Sequence, residues 1–335
     1  MSANVPGEML AKYHVTSGDV ILAEEKHMGI YDELPASYAI EWIAGGATQN
    51  SMRVAAWMLS KEDASCAAQT NVVAYSGCVG ADAHAAKLKE CAEAAKVTTA
   101  YQIDEATPTG LCACLIDDSN ERTLITRLDA ADNFKKAHLE TAAVQDLLAQ
   151  AQVIYSAGFF LTSGGPDCTK LLGEHCVTYG KRYCLNLSAP FIPMFFVDAL
   201  DATMPYVDIL FGNETEAAAL GEKKGWGTDV AAVALKAAAL PKASGAHARI
   251  VVFTQGASAT IVATENAVTT YPVPPVPKAD IVDTNGAGDS MVGGFLARLI
   301  AGDPIAKCVD AGHWAAATII KRSGCTMPDA CAYEG

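Results

Sequence analysis

Residues 281–290 read Ile-Val-Asp-Thr-Asn-Gly-Ala-Gly-Asp-Ser, and the apolar stretch 291–300 follows them directly. Glycines in such a loop let the backbone turn sharply and approach a ligand closely. The apolar stretch predicts a helix, and a helix N-terminus offers unpaired N–H groups and a partial positive charge. The pattern therefore favours an anion site formed by the amides of Gly286, Ala287 and Gly288.

Asp289 falls in the first turn of that predicted helix, beside the expected anion. An anion hole next to a carboxylate base is what transfer of a phosphoryl group to a hydroxyl requires. The alternative is an ordinary N-capped helix after a glycine loop, which Gly-Ala-Gly-Asp alone does not exclude. Asp283-Thr284-Asn285 before the motif and Gly293-Gly294 after it favour the catalytic interpretation.

The composition is that of a long, acidic chain. It has 335 residues, 51% of them hydrophobic, and a net charge of −14, enough for one large α/β domain or two smaller ones. The negative charge disfavours binding to nucleic acid or to an anionic membrane surface. No apolar run approaches the ~20 residues of a spanning helix, and the first residues show no signal peptide. The 11 cysteines favour a reducing compartment; we expect the cytoplasm, with the nucleus as a second possibility.

Apolar runs that predict strands alternate with stretches that predict helices. Most of these runs are continuous, as expected for a parallel sheet that is covered on both faces. The order predicts a doubly wound, mostly parallel α/β sheet flanked by helices. Its predicted strands are residues 71–78, 153–158, 183–187, 207–211, 249–254 and 260–263. Residues 20–23, 38–44, 98–103 and 111–128 break the alternation and predict a small separate sheet, with a polar turn at Asp117-Asp118-Ser119-Asn120 inside the last of these segments.

Polar motifs follow two of the predicted strands. Asn213-Glu214-Thr215-Glu216 follows one, and Thr254-Gln255-Gly256 ends another. Ligands of open α/β sheets bind beyond the carboxyl ends of the strands, so these motifs and the loop 283–289 predict one shared crevice. Asn213 and Glu216 also fit a plain helix start with an acidic first turn. The functional alternative is that Glu216 organises Mg²⁺ through the waters of the ion.

Other segments each have a structural and a functional interpretation. Residues 44–50, Ala-Gly-Gly-Ala-Thr-Gln-Asn, are either a capped hinge or a place where the backbone approaches a substrate. The aromatic pair Phe159 and Phe160 belongs either to the core or to a purine site. Arg122 is either a solvated surface charge or a planar donor to phosphate. His313 is either a helix-face histidine or a wall of an adenine pocket.

These motifs resemble the signature of the ribokinase-like, or phosphofructokinase-B (PfkB), family of small-molecule kinases, and the resemblance narrows to its adenosine kinases. Asn-Leu-Ser-Ala-Pro-Phe at residues 186–191 is the most specific stretch, because it separates adenosine kinases from ribokinases and fructokinases. The other stretches that carry the resemblance are residues 21–24, 44–50, 158–162, 211–217 and 281–289.

The resemblance implies transfer of the γ-phosphoryl group of ATP to the 5′-hydroxyl of adenosine, which gives AMP and ADP. By resemblance, Asp289 is the general base, the amides of residues 286–288 form the anion hole, and Arg122 reaches over the donor phosphates. The remaining expected contacts are Gly45, Gly46, Asn50, Leu128, Phe159, Phe160 and Asn285 for adenosine, Asn213, Thr254, Gly256 and His313 for ATP, and Glu216 for Mg²⁺.

The resemblance also implies a ribokinase-like fold with a small β-sheet lid, which excludes water from the phosphoryl donor when it closes. We expect a single domain over residues 1–335, with a lid of about 1–45 and 98–133 and a core of about 46–97 and 134–335. We expect a monomer that binds adenosine and ATP, and we leave a requirement for a monovalent cation open.

One feature departs from the pattern of adenosine kinases. They begin with a buried strand that ends in Asn-Pro-Leu-Leu-Asp or similar, and that Asp grips the ribose hydroxyls. Met1-Ser2-Ala3 aligns just after it, so we expect a sheet short of one strand and weaker nucleoside binding. Two further hypotheses therefore stand beside an active kinase: a nucleotide-binding protein without turnover, and a kinase of another sugar or nucleoside.

Overall fold

The computed structural model describes residues 1–60, 72–118 and 121–335, and sheets covered by helices make up this part of the chain. The strands are β1 Ser2–Asn4, β2 Val20–Leu22, β3 Val73–Gly80, β4 Val97–Asp104, β5 Leu111–Ile116, β6 Arg122–Arg127, β7 Val153–Ala157, β8 Arg182–Asn186, β9 Ile209–Asn213, β10 Ile250–Gln255, β11 Ser258–Thr264 and β12 Ala267–Tyr271. The helices are α1 Gly7–Lys12, α2 Ile30–Ser37, α3 Ala47–Leu59, α4 Ala83–Ala94, α5 Lys136–Leu139, α6 Ala142–Gln150, α7 Phe160–Ser163, α8 Gly165–Tyr179, α9 Phe191–Phe195, α10 Val197–Thr203, α11 Glu214–Lys223, α12 Val230–Ala238, α13 Ala287–Ile300 and α14 Ile305–Ile319.

The largest sheet has the order β12-β11-β10-β9-β8-β7. Strands β7 to β10 are parallel to one another, and β11 and β12 continue the sheet as antiparallel strands. Strands β8, β9 and β10 are buried on both faces between two apolar clusters, which is why they are almost continuously apolar, whereas β12 is largely exposed. The predicted mostly parallel, doubly wound α/β sheet is confirmed. The strand predicted at residues 260–263 exists within β11, but it forms a hairpin with β10.

A second sheet, which we call the small sheet, has the order β1-β5-β6-β2. It packs against α1 and α2 through a cluster that includes Met9, Leu34, Leu115 and Ile125, all of them buried. The strand predicted at residues 38–44 is wrong. The preceding residues form α2, and only Glu41 makes an isolated bridge, to Ser2. The polar turn predicted inside residues 111–128 includes Ser119 and Asn120, which lie outside the described residues.

The strand predicted at residues 98–103 forms within β4, but not in the small sheet as we expected. It pairs in parallel with β3 in a separate two-stranded sheet. Helix α4 connects these two strands, and a βαβ crossover of this kind brings consecutive strands side by side in parallel. The local sequence predicted the strand correctly, whereas its partner depends on the crossover.

Two adjacent glycines allow α13 to pack closely against two neighbouring helices. A Cβ on Gly293 would lie 2.6 Å from the Ser51 carbonyl oxygen of α3, and one on Gly294 would lie 2.6 Å from the Ala311 carbonyl oxygen of α14. Real Cβ atoms do not approach backbone this closely, so larger residues would push the helices apart. The Gly293 contact brings the start of α13 beside the start of α3.

The described ranges contain no helix that is both long enough and apolar enough to cross a membrane. Within the same ranges, no group of three or more histidine, cysteine, aspartate or glutamate side chains is arranged to hold a metal ion. Cys112 and Cys114 lie on β5 as free thiols.

Candidate active site

The loop before α13 has the conformation that its glycines predict. Gly286 precedes the helix with φ of +80°, a left-handed conformation that favours glycine, and a Cβ there would lie 2.9 Å from the Cβ of Cys325. A Cβ on Gly288 would meet no atom within 4 Å, so this side of the helix start faces open space. The Ala287 amide donates to the Thr284 carbonyl at 3.2 Å. The Ala287 amide is thus engaged within the loop, and the open space beside Gly288, which we call the cleft, adjoins the start of the helix.

Asp289 lies in the first turn of α13 as a partly buried residue. Asn50, on α3, donates a hydrogen bond of 2.9 Å from Nδ2 to Oδ2 of Asp289. Burial raises the pKa of Asp289 to about 6, and the hydrogen bond from Asn50 acts in the opposite direction. A carboxylate with this pKa is ionised near neutral pH and basic enough to accept a proton in a reaction.

Arg122 occupies the start of β6 in the small sheet, and its side chain is buried. It forms an ion pair with Asp283, which precedes the glycine loop and is 2% exposed. Asp283 also accepts hydrogen bonds from the amides of Asn285 at 2.7 Å and Gly324 at 2.6 Å. The pair fastens the small sheet to the loop of the predicted base. In the sequence, Asp283 stands out only as part of the motif, because no neighbouring residue indicates its partner.

The polar motifs predicted at strand ends do meet at one edge of the large sheet. Asn213 ends β9 and lies opposite Thr254 of β10 in the parallel register. Gly256 follows with φ of +55°, and a Cβ there would meet open space. The carboxyl ends of β7 to β10 thus form an edge of the kind that binds ligands in open α/β sheets.

Glu216 is almost completely buried, and its carboxylate caps its own helix. It accepts hydrogen bonds from the backbone amide of Asn213 at 2.9 Å and from the Asn213 side chain at 3.0 Å. Asn213 in turn accepts from the Glu216 amide at 2.8 Å, which completes a capping box. Burial, together with the charges of Glu214 and Asp289, raises the pKa of Glu216 to about 7, and the hydrogen bond from the Asn213 amide opposes this shift. The structural interpretation of this motif is therefore real, and it leaves a concentration of negative charge near Asp289.

The segment 44–50 leads into α3, where Asn50 contacts Asp289. Gly46 precedes α3 with φ of +97°, and a Cβ on Gly45 would meet no atom within 4 Å. Thr48, which no local pattern singles out in the sequence, accepts a hydrogen bond from the Ala157 amide at the end of β7. The start of α3 is therefore joined both to α13 and to the edge of the large sheet.

The segment 186–191 is held in a strained turn beyond β8. Ser188 has φ of +68°, its amide donates to the Asn186 side chain at 2.9 Å, and its hydroxyl accepts from the Gly158 amide at 2.8 Å. A non-glycine residue in this conformation is uncommon, and such residues cluster at functional sites. The turn positions Phe191 6.1 Å from Phe159, measured between ring centres.

The other predicted residues differ in how far the structure connects them to the cleft. Phe160 packs 5.2 Å from Phe134 in the core cluster, so the pair of phenylalanines is partly a core feature. Leu128 and Asn285 are partly exposed beside the small sheet and the glycine loop, respectively. His313 is 7% exposed on α14, and its Nε2 lies 2.7 Å from the Thr260 hydroxyl. That contact satisfies His313 inside the core, and its contact with ATP stays a prediction.

Comparisons with known proteins agree on one family. The sequence profile of the pfkB family carbohydrate kinases matches residues 8–330. The chain is 45% identical to adenosine kinase 1 of Arabidopsis thaliana, over 98% of this chain and 93% of the relative. It is 44% identical to the adenosine kinase of Dictyostelium discoideum, with the same coverage. Among solved structures, Anopheles gambiae adenosine kinase, in complex with P1,P4-di(adenosine-5) tetraphosphate, superposes with a TM-score of 0.93 at 40% identity and covers 99% of this chain and 96% of its own.

Proposed function

The chain belongs to the pfkB family of carbohydrate kinases, and from this premise we propose that it transfers the γ-phosphoryl group of ATP to the 5′-hydroxyl of adenosine. The products are AMP and ADP. The observation that carries the proposal is the position of Asp289, at the N-terminus of α13 and in hydrogen-bond contact with Asn50. A base beside helix-terminal amides suits attack of a hydroxyl on a phosphoryl group.

We propose that Asp289 takes the proton of the 5′-hydroxyl as its oxygen attacks the γ-phosphorus in line. The amides at the start of α13, over residues 286–288, stabilise the charge that develops on the phosphoryl oxygens. The open space beside Gly288 gives the phosphoryl group access to them. Asn50 has two functions, because it orients the carboxylate of Asp289 and belongs to the segment expected to contact the ribose.

Arg122 is proposed to stabilise the phosphoryl charge from the side of the small sheet. In the structure, its guanidinium group pairs with Asp283 beside the glycine loop. The planar guanidinium group has N–H donors for more than one acceptor, so Arg122 can pair with Asp283 and also donate to a phosphate. The small sheet then acts as a lid, and its closed position excludes water from the phosphoryl group.

The residues near Asp289 fit a divalent cation. Glu216 is a buried acid whose pKa is raised in part by the neighbouring acids Glu214 and Asp289, so positive charge is favourable there. Glu216 and Asn213 would hold Mg²⁺ mainly through its waters, as this ion prefers. When bound, Mg²⁺ neutralises charge on the phosphates of ATP. Asp283 already has Arg122 as its counter-charge. Whether the activity also requires a monovalent cation is tested by titrating potassium into the assay.

Adenosine is proposed to lie between the start of α3 and the end of β7, against Gly45, Gly46 and Phe159. Leu128, Phe160 and Asn285 complete its expected surroundings, and Thr254, Gly256 and His313 are expected on the ATP side. We also propose that the protein is a cytoplasmic monomer. Light scattering of the purified protein tests the oligomeric state.

The decisive experiment measures AMP formation from adenosine and Mg-ATP by wild type and by Asp289→Asn. We expect turnover that the variant loses, by at least about 10³-fold. Asp146→Asn, an exposed position on α6, is the matched control and should retain activity. ATP binding without AMP formation in the folded wild type would favour the nucleotide-binding hypothesis. Faster transfer to ribose or inosine than to adenosine would favour a different acceptor.

A further inference from the structure

The backbone that leaves the small sheet after β6 has an uncommon conformation. We call residues 127–129 the hinge segment. Asp129 has φ of +47°, in the left-handed region that residues other than glycine rarely adopt. A Cβ on Gly110, which lies just before β5, would be 2.5 Å from the Leu128 carbonyl oxygen. The segments that enter and leave this part of the small sheet are therefore in direct contact.

An ion pair spans the hinge segment. Nε of Arg127 lies 2.5 Å from Oδ2 of Asp129, and the two side chains are 24% and 16% exposed. The same guanidinium lies 4.7 Å from the ring centre of Tyr31 on α2, and the Tyr31 hydroxyl donates to the Ile125 carbonyl at 2.9 Å. Arg127 is thus fixed to the body of the small sheet by a cation–π contact as well as by β6.

Asp129, in contrast, belongs to the core side of the hinge segment. It begins a short 3-10 helix, Asp129–Asn133, which packs against β3 and α7. The next amide, of Ala130, donates to the Pro108 carbonyl at 3.0 Å. Burial and the charge of Asp82 both raise the pKa of Asp129, and Arg127 opposes them. Arg127 is therefore the counter-charge of Asp129 in this position.

We propose that Arg127 and Asp129 are positioning residues, whose ion pair holds Leu128 and the small sheet in the closed arrangement that binds adenosine. The inference rests on the proposed function, in which the small sheet closes over the acceptor. The pair joins the small sheet to the core across a single residue, Leu128. It also stabilises the left-handed conformation of Asp129, which would otherwise relax to a more common one. Without the pair, the closed arrangement is less populated, and the apparent affinity for adenosine falls by the same factor.

The kinetic test uses Arg127→Gln, Asp129→Asn and the double variant. Asparagine tolerates the left-handed conformation, so Asp129→Asn removes the charge and leaves the backbone favourable. We expect each single variant to raise KM for adenosine by about tenfold, with kcat within about threefold of wild type. We also expect ADP to form in excess of AMP, because water reaches the phosphoryl group. The double variant should have a KM for adenosine no higher than that of either single variant, because both single changes remove the same interaction.

A second measurement does not depend on activity. Hydrogen exchange of the β5 and β6 amides should be faster in each variant than in wild type, while β9 and β10 are unchanged. Lys26→Gln removes an exposed lysine that pairs with Glu24 before α2 and should alter neither exchange nor KM. Unchanged exchange and unchanged KM in folded Arg127→Gln and Asp129→Asn would overturn the proposal. Wild type that forms no AMP would refute the function, and the exchange data would still decide the role of the pair.

Discussion

Asn50 at the start of α3 donates a 2.9 Å hydrogen bond to Asp289 in the first turn of α13, although 239 positions separate them in sequence. The contact depends on close packing of the two helices at Gly293. It joins the segment expected to bind the nucleoside to the residue expected to activate it. The protonation state of the base is therefore linked to a residue of the acceptor site.

The first prediction concerns the pH dependence of activity. Asp289 must be ionised to accept a proton, and burial raises its pKa to about 6. We expect kcat/KM to rise with pH and to level off above an acidic limb near pH 6. Asn50→Leu removes the hydrogen bond that lowers this pKa, so the limb should move to higher pH. A pH profile of kcat/KM for each protein measures the shift.

Ser51→Ala is the control for that profile. Ser51 neighbours Asn50 on α3, and its hydroxyl donates to the Ala47 carbonyl. This variant should keep the acidic limb of wild type. If the acidic limb of Asn50→Leu lies at the same pH as that of wild type, the hydrogen bond from Asn50 does not affect the pKa of Asp289.

The second prediction concerns stability in the absence of nucleotide and Mg²⁺. Glu216 has a pKa of about 7 in the folded protein, above its ordinary value of 4.5. The carboxylate of Glu216 therefore binds a proton more tightly in the folded state than in the unfolded state. This contribution to stability is fully present below pH 4.5 and is lost as the pH rises through 7. Glu216→Gln should reduce the loss of unfolding free energy between pH 5 and 8 by on the order of 2 kcal/mol.

Urea denaturation at both pH values measures this difference. Glu214→Gln, an exposed change two residues earlier, should alter the pH dependence much less. Addition of Mg²⁺ with ATP should raise the unfolding free energy of the wild-type protein at pH 8, because ligands that bind the folded state stabilise it. Equal pH dependence in wild type and Glu216→Gln would show that Glu216 titrates normally.

Local sequence predicted the glycine loop and the start of α13, and it failed to predict the partners of several residues. The loop at Gly286 and Asp289 is specified by adjacent residues, because glycine conformation and helix start depend on short-range sterics. The pairing of β4 with β3 and the ion pair of Arg122 with Asp283 depend on segments far apart in the chain. His313 shows the same limit, since only the structure reveals Thr260 beside its ring.

The third prediction separates the stability of the Arg122–Asp283 pair from its part in catalysis. Arg122→Gln leaves Asp283 buried without a counter-charge, which should cost about 3–5 kcal/mol of unfolding free energy. Arg122→Gln combined with Asp283→Asn removes both charges and should recover much of that loss. It should not recover AMP formation, because the donor to the phosphates is still absent. Denaturant unfolding and turnover of the single and double variants test both statements.

An exposed ion pair provides the comparison for that experiment. Lys224→Gln breaks a pair with Asp201 on the surface of the core and should cost about 0–1 kcal/mol. If Arg122→Gln costs no more than this, Asp283 is not buried with its charge. Activity in the double variant close to wild type would remove Arg122 from the proposed mechanism.

The last prediction contrasts two glycines of α13. A Cβ on Gly293 would lie 2.6 Å from the Ser51 carbonyl and 2.7 Å from Cβ of Val54, whereas a Cβ on Gly288 would meet open space. Gly293→Ala must separate α3 from α13, so we expect a loss of about 1–3 kcal/mol in stability and a weaker contact between Asn50 and Asp289. Gly288→Ala should leave the unfolding free energy within about 0.5 kcal/mol of wild type. Its methyl group enters the cleft where the phosphoryl group is expected, so KM for ATP should rise or turnover should fall. Thermal unfolding and initial-rate kinetics distinguish the two, and a Gly288→Ala enzyme with wild-type kinetics would place the phosphoryl group elsewhere.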